Sequence, residues 1–124
     1  MSTRDLPRDS WRTELDSFSR QHEGWLVRVS VTDPDGRTRT EARDMPLQGV
    51  SMDDPANDRV AVIVGREAGD HVTHEIERPV SIVIDVNADG AERAVRIRAD
   101  DGSTTDVEFR SPTRPEDVDG MPAR

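Results

Sequence analysis

The chain has 124 residues, enough for one domain, and its apolar content of 32% is low for a folded domain. Its net charge of −9 argues against a general nucleic-acid binder, because phosphate contacts need a basic face. It has no cysteine for disulfides or thiolate catalysis, and no apolar run for a membrane span or a secretory signal, so we expect a cytoplasmic protein.

The first predicted element is a helix at residues 7–21, which follows a flexible N-terminus at residues 1–6. Pro7 suits the first turn of a helix, where its missing N–H has no partner to lose. One apolar stripe recurs at helical spacing and consists of Trp11, Leu15 and Phe18. A short helix with a single apolar face needs another element to pack against.

Beyond Gly24 the apolar residues alternate with polar ones, which is the period of a strand. The alternating positions include Trp25, Val27, Val29, Val31, Val60, Val62, Val64, Val72, Ile76, Val80, Ile82, Ile84, Val86, Val95, Ile97, Val107 and Phe109. They predict about seven short strands in an antiparallel meander. The run at residues 37–43 is expected at a sheet edge, because little of it is apolar.

The expected fold class is therefore mainly β (α+β). One N-terminal helix would pack on a curled antiparallel sheet or a small barrel of about seven strands. A single domain would span residues 7–118, with the β meander at residues 25–110. Residues 119–124 would form a flexible tail.

The stretch D-V-N-A-D-G at residues 85–90 resembles the first half of an EF-hand calcium loop. The twelfth position of such a loop needs a bidentate glutamate, and here it is Arg96. The flanking residues also alternate like strands. We therefore interpret the stretch as a turn between two strands.

The stretch D-H-V-T-H-E-I-E-R-P contains the candidate metal ligands Asp70, His71 and His74. On a strand, His71 and His74 would face opposite sides of the sheet, and His74 would be a hydrogen-bonded structural residue on the inner face. If the segment loops out, the three side chains could meet around a transition metal. A metal-binding protein or a metal-dependent enzyme is kept as an alternative.

The sequence contains no nucleophile elbow, no dinucleotide fingerprint and no P-loop. It therefore assigns no catalytic residue and implies no cofactor, and it leaves open whether the chain is an enzyme. A second alternative is a small barrel that binds single-stranded RNA. The net charge and the scarcity of aromatic residues argue against it.

Four segments occur in a fixed order: P-R-D-S-W-R-T-E-L-D-S-F-S-R-Q-H-E-G-W-L-V, P-L-Q-G-V-S, D-H-V-T-H-E-I-E-R-P and D-D-G-S-T-T-D-V-E-F-R-S. Together they resemble a small bacterial family, domain-of-unknown-function family 5335, from about Pro7 to Gly120. The resemblance implies a stand-alone, single-domain bacterial protein. It implies no activity, cofactor or catalytic residue.

The leading hypothesis is a non-enzymatic binding or accessory module that self-associates as a homodimer. The hypothesis also includes an unidentified protein partner, whereas membrane binding is not expected. The hypothesis depends on the thin core, the missing catalytic constellation and the open edge expected at residues 37–43.

Overall fold

The structure is a computed structural model that describes residues 2–52, 58–66 and 71–110. Within these ranges it contains a 3-10 helix, one α-helix and eight strands. The 3-10 helix is Arg8–Ser10 and α1 is Trp11–His22; the strands are β1 (Ser2–Asp5), β2 (Leu26–Thr32), β3 (Thr38–Ser51), β4 (Arg59–Val64), β5 (Val72–Glu77), β6 (Pro79–Val86), β7 (Glu92–Ala99) and β8 (Thr104–Phe109). They form one sheet in the order β1-β6-β7-β8-β2-β3-β4-β5, with all pairings antiparallel.

The predicted fold class is confirmed: the protein is mainly β, with one N-terminal helix on a curled antiparallel sheet. The sheet stays open between β1 and β5, so the small-barrel alternative is not realised. Strand β1 lies within residues 1–6, which were predicted to be flexible. Its residues are polar and exposed, so only their pairing with β6 makes them a strand. The predicted tail at residues 119–124 lies outside the described residues.

Helix α1 packs on β3 through one buried face, which consists of Trp11, Leu15, Phe18 and His22. The Trp11 indole N–H donates to the Leu6 carbonyl at 2.9 Å. The Val50 backbone N–H in β3 donates to the Ser19 hydroxyl at 2.8 Å and ties the helix to the sheet. Gly24, with a φ of 85°, then lets the chain turn into β2. Among the described residues, no helix is long and apolar enough to cross a membrane.

Strand β3 joins two parts of the sheet. Its residues 38–46 pair with β2 and its residues 47–51 pair with β4, with a register shift in each pairing. Bulges of this kind bend a strand and increase its twist. As a result β5 lies over the inner face of β8, where His74 contacts Thr105. The largest fully buried side chains are Leu15, Leu47, Ile82, Ile84, Ile97, His22, Val27, Val29, Val50, Val60, Val62 and Val64.

Residues 87–90 form the turn between β6 and β7, as the sequence pattern predicts. The Asn87 side-chain oxygen accepts the backbone N–H groups of Asp89 at 2.9 Å and Ala91 at 3.0 Å. Gly90 has a φ of 86°, the left-handed conformation that such a turn requires. The polar residues of this stretch therefore build the turn itself.

The outer face of the sheet carries a network of ion pairs centred on Asp85 of β6. The Asp85 side chain is only 8% exposed, and it accepts hydrogen bonds from Arg93 at 2.9 Å and Arg96 at 3.4 Å. Three further pairs extend the network across β7, β8 and β2: Arg96–Asp106, Arg93–Glu108 and Arg28–Glu108. The sequence contains arginine but no lysine. A planar guanidinium can bridge two carboxylates, so these arginines can connect neighbouring strands in this way.

Candidate functional site

A cleft with a volume of about 340 Å³ follows strand β5. We call it the β5 cleft, and its lining comes from residues 31–39, 74–78 and 99–105. Every residue from 74 to 77 contributes to the lining, so the cleft follows the edge of the strand, not one of its faces. The β2–β3 hairpin and the turn after β7 form the opposite wall.

Strand β5 ends the sheet, and no described residue pairs with its outer side. The Arg78 N–H donates to the Asp58 carbonyl at 2.8 Å, which sets the alternation of hydrogen bonds along the β4–β5 ladder. In an antiparallel ladder every second residue bonds to the neighbouring strand. The backbone groups that point outward therefore belong to Thr73, Glu75 and Glu77. The β5 cleft thus borders an open backbone edge.

His74 lies inside the β5 cleft, half-buried. Its Nε2 atom is 3.3 Å from the Thr105 hydroxyl and its Nδ1 atom is 4.0 Å from the Glu41 carboxylate. Burial lowers the pKa of His74 below 6.5, an effect that Glu41 opposes and Arg39 reinforces. Thr105 is only 2% exposed, so its hydroxyl is not accessible to a substrate. The pair suits hydrogen bonding within the fold better than nucleophilic catalysis.

The predicted metal ligands are not all within the described part of the chain. Asp70 lies outside it. His71 precedes β5 and is exposed, whereas His74 is inside the sheet with one nitrogen near a hydroxyl, as its structural interpretation predicts. Among residues 2–52, 58–66 and 71–110 no three His, Asp or Glu side chains are placed to hold a metal ion. The site at Asp70, His71 and His74 stays a prediction.

The β5 cleft has a surplus of negative charge. Its acidic residues are Asp33, Glu75, Glu77, Asp100 and Asp101, and its arginines are Arg39 and Arg78. Arg39 already lies 3.3 Å from Asp33, and Arg78 lies 3.2 Å from Asp100. Among residues 2–52, 58–66 and 71–110, Glu75 and Glu77 have only loose contacts, at 3.8 Å and 3.9 Å from Arg59. These two carboxylates are therefore available to a cation from outside.

His22 is a fully buried histidine that the sequence analysis did not single out. Its ring centroid lies 4.7 Å from that of Phe18, 4.8 Å from that of Trp25 and 4.4 Å from that of Phe109. Its Nδ1 atom is 2.8 Å from the Phe18 carbonyl oxygen, and its Nε2 atom is 3.5 Å from the Glu92 carboxylate. The helical spacing of Trp11, Leu15 and Phe18 continues to residue 22, and this spacing could have indicated from the sequence that His22 is buried.

A β-bulge brings Glu92 to His22. The pairing of β6 with β7 shifts by one residue at this point, so Arg93 has no residue opposite it. Glu92 then faces the helix, while Arg93 joins the ion-pair network on the outer face. A sequence-based prediction that apolar and polar residues alternate along a strand assumes a constant period of two. It therefore cannot reveal a shift in strand register.

The fold is expected to lose stability as the pH falls below about 6.5, because two histidines are held neutral. Burial lowers the pKa of His22, although the Phe18 carbonyl and Glu92 oppose the shift. Burial also lowers the pKa of His74. Below the unfolded-state pKa the unfolded chain binds more protons than the native one, so the free energy of unfolding decreases until the native-state pKa is passed. Urea denaturation between about pH 7 and pH 5 measures the slope.

His22→Phe is the first control for this pH dependence, because phenylalanine fits the ring cluster and does not titrate. It is expected to flatten the slope. His74→Gln is expected to remove a smaller part, because His74 is only half-buried. An unchanged slope in His22→Phe would contradict a buried neutral histidine at this position.

All four aromatic side chains of the chain are buried, with exposed fractions of 2% to 6%. They are Trp11, Phe18, Trp25 and Phe109. Single-strand binding by a small barrel uses exposed rings on which bases stack. The alternative of RNA recognition therefore lacks both the closed barrel and the stacking surface.

Comparison with known proteins gives one kind of match. A model described as a family of unknown function (DUF5335) matches residues 2–118 of the chain. No curated protein and no solved structure matches it. The match confirms the resemblance inferred from the ordered segments and brings no activity with it.

Proposed function

The chain belongs to the DUF5335 family of unknown function, and from this premise we propose that it is a non-enzymatic binding module that self-associates as a homodimer. An open sheet edge supports the proposal. Residues 38–46 of β3 pair with β2, β4 pairs with residues 47–51, and the Gly65 N–H donates to the Pro46 carbonyl, so residues 38–44 of β3 have one side without a described partner. We call this the β3 edge, and it coincides with the polar run at residues 37–43.

The direction of the backbone groups supports strand addition at the β3 edge. The Asp33 N–H donates to the Arg37 carbonyl at 2.8 Å, which sets the alternation of the β2–β3 ladder. The backbone groups of Thr38 and Thr40 therefore point away from β2. A second copy of β3 in antiparallel orientation would pair with them and form a closed, two-fold symmetric interface.

The charges of the β3 edge also fit a second copy of the chain. Arg39 and Glu41 lie 2.8 Å apart, so the edge is locally neutral. A two-fold axis at Thr40 would place Arg39 of one copy opposite Glu41 of the other. Opposite charges across an antiparallel pair are favourable, whereas like charges are not. The setting we propose for this module is the cytoplasm of a bacterium.

Thr40→Pro is expected to weaken the dimer by about tenfold or more, because proline removes an outward N–H and its hydrogen bond. Thr40 is exposed and does not use this N–H in the β2–β3 ladder, so the fold is expected to persist. Sedimentation velocity over a wide dilution series measures the dimer, and circular dichroism verifies the fold.

Thr40→Ala is the matched control, because it keeps the backbone N–H and should dimerise like the wild type. The proposal fails if the wild-type chain is monomeric at every concentration. It also fails if the folded Thr40→Pro variant dimerises like the wild type.

A further inference from the structure

The β5 cleft contains another open edge, and its chemistry differs from that of the β3 edge. We propose that the β5 cleft binds an extended peptide segment of a partner protein, which carries arginine or lysine side chains and adds to β5 as a strand. The inference rests on the proposed function, because both assume that the open edges of the sheet are where this module binds. It does not depend on the dimer.

The backbone of β5 offers the main-chain part of the interaction. The outward N–H and C=O groups of Thr73, Glu75 and Glu77 have no described strand beside them. A peptide strand about 4.8 Å away could pair with these groups, as in β-strand addition at other sheet edges. Main-chain hydrogen bonds of this kind give affinity for any extended chain, so the side chains must select the ligand.

The floor of the cleft consists of buried apolar side chains. Val31, Ile76 and Ala99 contribute to its lining and are 4%, 5% and 5% exposed, so they belong to the packed core. These residues and the β2–β3 hairpin bound the space beside β5, so an added strand would have to run along β5. A preformed edge next to a fixed wall loses little conformational entropy on binding.

Charge selects the side chains of the peptide. Glu75 and Glu77 are 55% and 74% exposed, and their only described ion-pair contacts are the loose ones with Arg59. Asp101 faces the same cleft, and hydrogen bonds from Ser103 lower the pKa of its carboxyl. A peptide with alternating cationic residues would bring guanidinium or ammonium groups to these carboxylates.

A second copy of the chain fits the β5 edge less well. An antiparallel self-pairing centred on Glu75 places its carboxylate opposite the same carboxylate of the other copy, and like charges directly opposite each other are destabilising. The whole chain carries a net charge of −9, which also favours a basic partner. The acidic β5 edge and the neutral β3 edge therefore suit different occupants.

The test uses the full-length chain and a short blocked peptide in which arginine and valine alternate. A peptide with glutamate in place of arginine is the charge control. The arginine peptide is expected to bind in isothermal titration calorimetry, with an affinity that decreases as salt increases. In NMR spectra the backbone amides of Thr73, Glu75 and Glu77 are expected to shift more than those of β8.

Thr73→Pro is expected to weaken binding of the arginine peptide by about tenfold or more, because it removes an outward N–H. Thr73→Ala keeps that N–H and should bind like the wild type. The double variant Glu75→Gln/Glu77→Gln is expected to bind about threefold to tenfold more weakly. Asp16→Asn/Glu23→Gln changes the charge equally at exposed positions at or near α1 and should have no effect.

Three outcomes would overturn the inference: no binding of the arginine peptide, equal binding of both peptides, or full binding by a folded Thr73→Pro variant. Sedimentation velocity on the same samples measures dimerisation independently of peptide binding, so the two proposals can fail separately. A wild-type dimer that binds no peptide contradicts only the β5 inference, whereas a monomer that binds the arginine peptide contradicts only the dimer.

Discussion

Phe109→Ala is expected to lower the free energy of unfolding by about 3–5 kcal/mol, the usual cost of removing a buried phenylalanine ring. Phe109 is 5% exposed and lies at the end of β8. Its ring centroid is 5.5 Å from that of Phe18, 4.4 Å from that of His22 and 5.2 Å from that of Trp25. The truncation would leave a cavity where α1 and the sheet meet, since these rings come from the helix, its C-terminal turn and β8.

Urea denaturation of Phe109→Ala measures this effect, and Phe109→Leu is the control. Leucine fills most of the volume and should cost clearly less than alanine. Phe109 does not line the β5 cleft, and it contributes no backbone group to the β3 edge, so the folded fraction of the variant should keep its dimer and its peptide binding. A loss below about 1 kcal/mol would mean that the rings around Phe109 are not part of a tightly packed core.

Asp85→Ala is expected to cost about 2–3 kcal/mol, because it removes the central acceptor of the outer-face network. Arg93 and Arg96 would lose their hydrogen bonds to it, at 2.9 Å and 3.4 Å. Arg93 is 30% exposed and Arg96 is 44% exposed, so water can partly solvate both guanidinium groups and limits the penalty. Thermal and urea denaturation at neutral pH measure the change.

Asp100→Ala is the matched control for Asp85→Ala. Asp100 also pairs with an arginine, at 3.2 Å from Arg78, but the two side chains are 46% and 70% exposed. An exposed pair of this kind contributes about 0–1 kcal/mol. Equal losses in the two variants would contradict the view that burial makes Asp85 the centre of the network.

The local sequence was sufficient for the helix and for the strands whose apolar residues alternate. The stripe of Trp11, Leu15 and Phe18 predicted the helix, and the alternating valines predicted the strands, because burial of one face imposes the period of the element on the sequence. The polar run at residues 37–43 predicted an edge for the same reason, since a strand with one open side has fewer core contacts to make.

Three features needed the folded chain. Strand β1 has no apolar residue and exists only through its pairing with β6. The bulge beside Arg93 inverts the faces of neighbouring residues and so brings Glu92 to His22. The β5 cleft joins segments more than sixty residues apart, from the β2–β3 hairpin to the turn after β7.

The sequence by itself thus determined the class of fold, the buried helix face and the β3 edge, because each depends on contacts that repeat along one element. Only the tertiary structure decided that β5 is also an open edge, that acidic side chains from three segments gather beside it, and that His22 is enclosed by aromatic rings. These features arise where β3 bends and bulges shift the register. Such long-range geometry depends on how strands pair, and the period of a single strand does not encode it.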